Sequence, residues 1–351
     1  MPPVSFIETF SPSRPSREAL PKGLPAYYRV SVENSRGAWP GVGKHNCRGG
    51  YECWSPNLVR MDPFGKPTRW VDLSSGGPKD VEFTLTPNIS WINTDITHGR
   101  LQRDAGTDTR FYVSIDWSKV PKKDGEEPYS TGGGVLIAGS DGTNVTLGVP
   151  ITTAIPPPDD FQGFVEGDGY VVMEAAHFAR NESASGYAFE DIEWYGRTLS
   201  GLEMLPVSNV NHTLGTGPSL SYDFWSTGAS GNTKNVEVTI QIGPTFNFML
   251  GKKLAFGLQV DDGEARMFTP IPDTTEVEGA GTVPADWPNI VSSEIRNVTG
   301  TFELGGGGAG EHSVTVYGIT SGIIVERIWV DFAGIVERGY SYLGPPESRR
   351  V

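Results

Sequence analysis

The hydrophobic and polar residues in the second half of the chain alternate with a period of two. The pattern is clearest from Asn235 to Asp262, where a bend at Gly243-Pro244 separates two alternating runs, Val236–Ile242 and Leu254–Val260. This period places one set of side chains in a core and the other in water, as in half-buried antiparallel strands. An amphipathic helix would require apolar spacings of three and four, which are absent. Asp262-Gly263 then predicts a hairpin turn, because both residues tolerate a positive φ.

Further strand-like runs, bounded by Gly, Pro, Asn or Ser, occur along the whole chain. With 45 Gly and 27 Pro in 351 residues, they predict many short strands joined by turns. The expected fold class is all-β, with two β-sandwich domains: an immunoglobulin-like sandwich, followed by a jelly-roll sandwich like those of carbohydrate-binding modules. The runs are Tyr27–Glu33, Arg69–Leu73, Val81–Thr86, Arg110–Trp117, Gly134–Ala138, Asn144–Ile151, Tyr170–Phe178, Ser219–Trp225, Ser313–Tyr317 and Ile323–Phe332.

Proline marks the predicted domain boundary. Pro156-Pro157-Pro158 forms a stiff spacer that cannot lie inside a central strand. The prediction is an extended lead-in at 1–25, an immunoglobulin-like β-sandwich at 26–153, a Pro-rich linker at 154–163 and a jelly roll at 164–351.

Charge and composition narrow the range of partners. The formal net charge is −14, from 28 basic and 42 acidic residues, which argues against nucleic acid and anionic membranes. No apolar run approaches the roughly 18 residues of a membrane span.

One cysteine pair and several glycosylation sequons favour a secreted protein. Cys47 and Cys53 frame a short glycine-containing loop and predict a disulfide. The N-terminus has no apolar signal region, so either secretion is wrong or the chain is part of a longer precursor. Five Asn-x-Ser/Thr sequons, some of them expected by chance, are candidates for glycosylation: Asn88, Asn144, Asn181, Asn211 and Asn297.

The usual signatures of catalysis are missing from the sequence. The glycines of Gly305–Gly310 match a dinucleotide fingerprint in spacing, but they lie between two predicted strands and no helix follows. Glu326 and Asp331 are a candidate for the pair of carboxylates that glycoside hydrolysis uses. They are five residues apart, so a regular strand would place them on opposite faces, where they could not act as an acid/base pair. We therefore expect no catalytic site in this chain.

Aromatic residues beside a basic one are the remaining candidate site. Trp194, Tyr195 and Arg197 lie close together in sequence, and Trp225 is a further ring. Sugars stack on flat aromatic faces, and Arg can hold a carboxylate through two parallel hydrogen bonds, so the set suits a uronic acid. The alternative is that Trp194 and Trp225 are core residues of a sandwich.

Several segments resemble the C-terminal region of glycoside hydrolase family 115, the xylan α-glucuronidases. They keep their order over nearly the whole chain: Ala38–Gly41 (AWPG), Ser114–Pro121 (SIDWSKVP), Gly169–Ala175 (GYVVMEA), Gly196–Gly201 (GRTLSG), Gly243–Asn247 (GPTFN) and Tyr342–Ser348 (YLGPPES).

The resemblance implies two β-sandwich modules that follow a catalytic barrel and a helical domain. The family's catalytic carboxylates lie in that barrel, so no catalytic residue is carried over. The expected function is a non-catalytic accessory region of a secreted α-glucuronidase acting on glucuronoxylan, serving as scaffold, dimer contact or carbohydrate contact. The alternatives are a free-standing carbohydrate-binding protein and an intact enzyme that uses the second domain.

A weaker similarity links the second domain to carbohydrate-binding modules of families 6 and 35. That similarity implies a structural calcium, for which Glu174 and Asp331 occupy comparable strands. The Glu-Ala-Glu pattern of those modules is replaced here by Glu174-Ala175-Ala176, which removes one oxygen ligand. The sequence therefore leaves open whether a structural calcium binds. No other cofactor is expected.

Overall fold

The computed structural model describes residues 28–35, 38–39, 56–75, 79–102, 108–123, 125, 128–231, 234–248, 252–271, 283–332, 334–335, 340 and 342–351. The chain divides into two compact units. The first comprises the described residues up to Arg60, with Pro67–Lys122 and Thr131–Ile151. The second comprises Met61–Lys66, Lys123–Ser130 and Thr152–Val351. The boundaries predicted from the prolines stay a prediction.

The first unit is built from two four-stranded sheets, ordered β1-β2-β6-β4 and β5-β3-β7-β8. Apolar residues of one parity are buried along each central strand, as the alternation predicts; β3, for example, alternates buried Val81, Phe83 and Leu85 with exposed residues. The strands are β1 Tyr28–Val32, β2 Thr68–Ser75, β3 Val81–Pro87, β4 Ile92–Thr94, β5 His98–Leu101, β6 Thr109–Ile115, β7 Ser130–Gly139 and β8 Asn144–Thr152.

The second unit contains two larger sheets. Sheet I has the order β12-β13-β20-β15-β18 with β10 on β20, and sheet II has the order β11-β14-β19-β16-β17 with β9 on β14. The strands are β9 Phe164–Val165, β10 Tyr170–Glu174, β11 Arg180–Glu182, β12 Ala188–Glu193, β13 Ser200–Leu205, β14 Ser219–Ser226, β15 Asn235–Ile242, β16 Phe256–Val260, β17 Arg266–Phe268, β18 Arg296–Glu303, β19 Gly310–Gly318 and β20 Ile324–Asp331.

One hydrophobic core joins sheets I and II. It takes alternate residues from β15 (Val236, Val238, Ile240) and from the facing strands of sheet II, such as Tyr222 and Phe224 of β14. Both sets of side chains are fully buried. The prediction of an all-β chain with two β-sandwiches is confirmed, and the alternation of Val236–Ile242 correctly identified the inward face of β15.

β20 departs from regular alternation. Its partner strand β15 pairs Gln241 with Arg327 and Ile242 with Val325, so Glu326 has no opposite residue. Val325 and Ile328 both lie in the core, whereas Glu326 and Arg327 do not. This β-bulge places two consecutive charged side chains outside the core. The prediction that Glu326 and Asp331 lie on opposite faces is wrong, because it assumed a regular strand.

A single α-helix, α1 Trp287–Ser293, occurs among the described residues. It has Pro288 in its first turn and ends at Glu294, whose φ is +62°. Short 3-10 turns occur at Trp117–Lys119, Ala175–His177 and Gly305–Gly307. The last joins β18 to β19, so the glycine run lies between two strands, as predicted. Within the described part of the chain, no helix has the length and apolarity needed to cross a membrane.

Candidate functional site

The outer face of sheet I forms the floor of a cleft of about 370 Å³. Gln241 of β15, Asn297 of β18 and Trp329 of β20 contribute its polar and aromatic groups. These residues belong to the parity that faces away from the core, since Ile240, Val298 and Val330 point inward. The period of two thus fixes which side chains of three neighbouring strands meet at this surface.

The walls of the cleft come from three connecting segments. The loop between β12 and β13 carries Arg197, Ser293 ends α1, and the C-terminal segment provides Tyr340 and Tyr342. The cleft is therefore assembled within the second unit from strands, a hairpin loop and the end of the chain.

Arg197 joins these walls. Its Nε donates to the Ser293 carbonyl (2.6 Å) and its Nη1 donates to the Tyr342 carbonyl (2.5 Å). Its guanidinium stacks on the Tyr342 ring at 3.9 Å from the ring centre, a cation–π contact. The Tyr342 hydroxyl also donates to the Ser293 carbonyl, so the three residues fix one another. The remaining amino group, Nη2, makes no hydrogen bond to the described residues.

Two amides on the floor bond each other. Gln241 Nε2 donates to Asn297 Oδ1 at 3.0 Å, and this bond orients both side chains. Gln241 is almost completely buried, with 1% of its surface exposed, whereas Asn297 is exposed. The cleft therefore presents the positive charge of Arg197 and the Asn297 amide beside aromatic rings.

Glu326 lies next to Arg197 and is almost completely buried, with 3% of its surface exposed. Its Oε2 accepts a long hydrogen bond from the Arg197 backbone N–H (3.4 Å), and its Oε1 has no partner. Burial, together with the neighbouring Glu294 and Glu174, raises the pKa of Glu326 to about 7 against the lowering influence of Arg197.

The four aromatic and basic residues predicted to bind carbohydrate do not form one cluster. Trp194 is 89% exposed in the loop that carries Arg197, which rules out a core position for it. Tyr195 packs against Gly201 and Gly243, and burial raises the pKa of its phenol. Trp225 lies on β14 of sheet II, where its indole N–H donates to the Ile155 carbonyl. Arg197 alone lines the cleft.

The two residues predicted to ligate calcium are also separated. Glu174 pairs across sheet I with Arg327, and Asp331 pairs with Tyr170, four residues further along the same two strands. Glu174 Oε1 lies 3.0 Å from Arg327 Nε, and Asp331 Oδ1 accepts the Gly334 and Ile335 N–H groups. The structure does not bring these carboxylates together.

Another group of carboxylates lies elsewhere in the second unit. Asp62, Glu166 and Asp168 are all buried, and Asp62 Oδ2 accepts the Asp168 N–H at 2.7 Å. Burial and the nearby Asp168 raise the pKa of Asp62 to about 6. In the described residues, no set of three or more His, Cys, Asp or Glu side chains has an arrangement that could hold a metal ion.

The predicted modification sites remain predictions. Cys47 and Cys53 lie outside the described residues. The five sequon asparagines are all exposed: Asn88, Asn144, Asn181, Asn211 and Asn297. Asn297 is the one that lines the cleft.

The sequence reading missed Gln241, Trp329 and Tyr342. Gln241 and Trp329 have the outward parity of their strands, a signal that was present but not followed. Nothing local in the sequence indicated that Tyr342 packs against Arg197, because this contact joins residues 145 positions apart.

Comparison with known proteins gives one family match. Residues 163–347 match the C-terminal domain of glycosyl hydrolase family 115. No curated protein matches the sequence.

Three solved structures illustrate the similarities in three dimensions. A family GH115 4-O-methyl-alpha-glucuronidase, BtGH115A, with specificity for decorated arabinogalactans, is 16% identical over 51% of this chain and 19% of its own, with a TM-score of 0.33. The C-terminal CBM6 of LamC from Zobellia galactanivorans is 14% identical over 46% of this chain and 98% of its own (TM-score 0.27). A family 35 carbohydrate binding module from Clostridium thermocellum is 12% identical over 46% and 97% (TM-score 0.27).

Proposed function

The chain belongs to glycosyl hydrolase family 115, whose C-terminal domain it carries at residues 163–347, and we infer that it is the non-catalytic accessory region of a larger α-glucuronidase. The parent enzyme would be secreted, would carry a catalytic barrel and a helical domain, and would act on glucuronoxylan. The accessory region would serve as scaffold, dimer contact or carbohydrate contact, and of these the cleft supports carbohydrate contact best.

The observation that carries the proposal is the fixed Arg197 guanidinium in a cleft that also holds the exposed Asn297 amide. Arg197 is held by two carbonyls and one ring, so little side-chain freedom is lost when a ligand binds. Its Nη2 can donate to a uronate carboxylate, and the exposed Asn297 amide can bond a sugar hydroxyl. Trp194, on the same loop, offers an exposed ring on which a neighbouring sugar can stack.

The placement of the other candidate rings limits their role. Tyr195 packs under its own loop and Trp225 bonds the Ile155 carbonyl on sheet II. We propose that both stabilise the fold and that Trp194 and Arg197 contact the sugar chain.

A calorimetric titration of the protein with aldouronic oligosaccharides tests the proposal. Arg197→Ala removes the charge and is expected to weaken binding by about tenfold or more, the usual effect of losing a charge-assisted hydrogen bond. Arg180→Ala is the matched control, because Arg180 is an exposed arginine on sheet II that pairs with Asp223. Its affinity should equal that of the wild type. Equal affinities for wild type and Arg197→Ala, or no binding by either, would remove the cleft as a sugar site.

The alternative is a free-standing carbohydrate-binding protein, which would use the same cleft. The reading frame upstream of Met1 separates the two. Continuous coding for a barrel and a helical domain supports the accessory region, and a stop codon directly before Met1 supports the free-standing protein.

A further inference from the structure

The β-bulge in β20 places a carboxyl group directly beneath the loop that carries Arg197. Glu326 is the extra residue of the bulge, between Val325 and Arg327, which pair with consecutive residues of β15. A Cβ added to Gly196 would overlap the Glu326 carboxylate, so the loop backbone lies against this group. Bulges are a recognised way of re-aiming a side chain beside a functional site.

The surroundings of Glu326 favour its neutral form. The side chain is 3% exposed, its Oε1 has no hydrogen-bond partner, and its Oε2 accepts only one long bond from Arg197. A buried carboxylate with so few donors is poorly solvated when ionised. Asp261, by contrast, has three hydrogen-bonding partners, Gly305, Ser313 and His312.

The charges that face Glu326 come from four elements. Arg197 lies on the β12–β13 loop, Glu294 follows α1, and Glu174 ends β10. The phenol of Tyr195 also lies close by, on the same loop as Arg197. Arg327, the next residue of β20, is paired with Glu174 and so does not neutralise Glu326. One arginine and two other acids therefore surround it.

We propose that Glu326 sets the charge of the cleft: when protonated it leaves the positive charge of Arg197 available to an anionic sugar, and when ionised it offsets that charge. This inference rests on the proposed function of the cleft. Glu326 acts through Arg197 and is a positioning residue, without contact to the ligand. The cleft then binds uronate-bearing chains more tightly at mildly acidic pH than at alkaline pH, and binds neutral chains equally at both.

The sign follows from the direction of the pKa change. Because the folded protein raises the pKa of Glu326 to about 7, the group is protonated at mildly acidic pH and becomes ionised as the pH rises through that value. An added negative charge that interacts electrostatically with Arg197 should weaken the binding of an anionic ligand by roughly fivefold to tenfold at a partly solvated site.

The test compares the affinities of an aldouronic oligosaccharide and a neutral xylo-oligosaccharide at about pH 5.5 and about pH 8.5. Wild type should bind the aldouronic chain roughly fivefold to tenfold more weakly at the higher pH. Glu326→Gln, which mimics the neutral form, should lose most of this dependence, and Glu182→Gln, an exposed position on β11 of sheet II, should keep it. Equal pH dependence in wild type and Glu326→Gln would overturn the inference while leaving the proposed function intact.

A measurement without ligand keeps the inference testable if no sugar binds or if Glu326→Gln does not fold. In ¹⁵N NMR of the wild type, the Arg197 backbone amide should titrate with a midpoint close to the pKa of Glu326, because Glu326 accepts its hydrogen bond. A flat titration between about pH 5 and 8.5 would overturn the inference. Absence of sugar binding with a normal Arg197 titration would overturn the proposed function and, with it, the role of Glu326 in ligand selection.

Discussion

At the scale of single residues, the partly buried Asp261 and the buried Glu326 differ in how many hydrogen-bond donors they have. Asp261 accepts the N–H groups of Gly305 and Ser313 and contacts His312 Nδ1 at 2.9 Å. Burial alone would raise the pKa of Asp261, but these bonds outweigh it and hold the pKa below its usual range. Glu326 has one long bond and a raised pKa. For these two groups the number of donors matches the direction of the pKa change. Asp62 also accepts three N–H groups, but burial and the nearby Asp168 still raise its pKa to about 6.

Asp261 should therefore stabilise the junction of β16 with the β18–β19 turn. Asp261→Asn replaces one accepting oxygen by a donor that faces existing donors, and we expect it to lower the free energy of unfolding by about 2 kcal/mol. Asp262→Asn, in the exposed neighbouring position, should change it by less than about 0.5 kcal/mol. Urea denaturation followed by fluorescence measures both, and equal effects would show that the Asp261 contacts are unimportant.

The loss of stability caused by Asp261→Asn should also change with pH in a defined direction. The lowered pKa of Asp261 gives stability that is lost as the pH falls through it. Burial lowers the pKa of His312, but its bonds to Asp261 and the Gly308 carbonyl give a net increase, so its contribution is lost as the pH rises through the folded value. The Asp261→Asn effect should thus be greatest at mildly acidic pH, where both groups are charged.

At the scale of elements, the β12–β13 hairpin and the β20 bulge fit together through Gly196. Gly196 has φ +87°, and its Cα lies against the Glu326 carboxylate. Gly186, in the turn between β11 and β12, has a similar φ of +83° but open space around it. The two glycines share the backbone requirement and differ in the contact.

Substituting each glycine by alanine separates these effects. Gly186→Ala should cost about 1 kcal/mol of unfolding free energy, from the positive φ alone. Gly196→Ala should lower the unfolding free energy by about 1–3 kcal/mol more than Gly186→Ala does, which is the usual cost of overpacking. The reason is that the added methyl group displaces Glu326. Thermal denaturation compares them, and an equal loss for both variants would mean that the loop is not packed against the bulge.

Much of this element structure was readable from the sequence. The alternation of Val236–Ile242 identified β15 and its inward face, and Asp262-Gly263 marked the hairpin turn between β16 and β17. The bulge left a trace that the prediction did not use, because two consecutive charged residues, Glu326 and Arg327, interrupt the period-two pattern of β20. The cleft was predicted only through Arg197, since its walls join segments that are distant in the chain and no local pattern records such contacts.

At the scale of the whole molecule, the chain is an acidic all-β protein that carries the C-terminal domain of a glycosyl hydrolase family. Glycoside hydrolysis requires two carboxyl groups about 5 to 10 Å apart, facing a bound sugar across an open cleft. Near the cleft, Glu326 is buried under a loop and Glu294 is exposed beyond α1. These two carboxyl groups do not have that arrangement, which is one ground for the proposal that the cleft binds carbohydrate.

The purified chain should accordingly release no glucuronic acid from aldouronic oligosaccharides above the buffer blank. The assay is chromatographic detection of free glucuronic acid after prolonged incubation at several pH values. Steady release that disappears in Glu326→Gln or Glu294→Gln would assign a catalytic role to this chain and would contradict the proposal of an accessory region.

Mapping the ligand by NMR is the most direct test of the cleft on sheet I as a carbohydrate site. Titration of the ¹⁵N-labelled chain with an aldouronic oligosaccharide should shift the amides of Arg197, Gln241, Asn297 and Trp329, and leave those of β14, β16 and β19 on sheet II unchanged. Shifts confined to sheet II, or no shifts at saturating ligand, would contradict it.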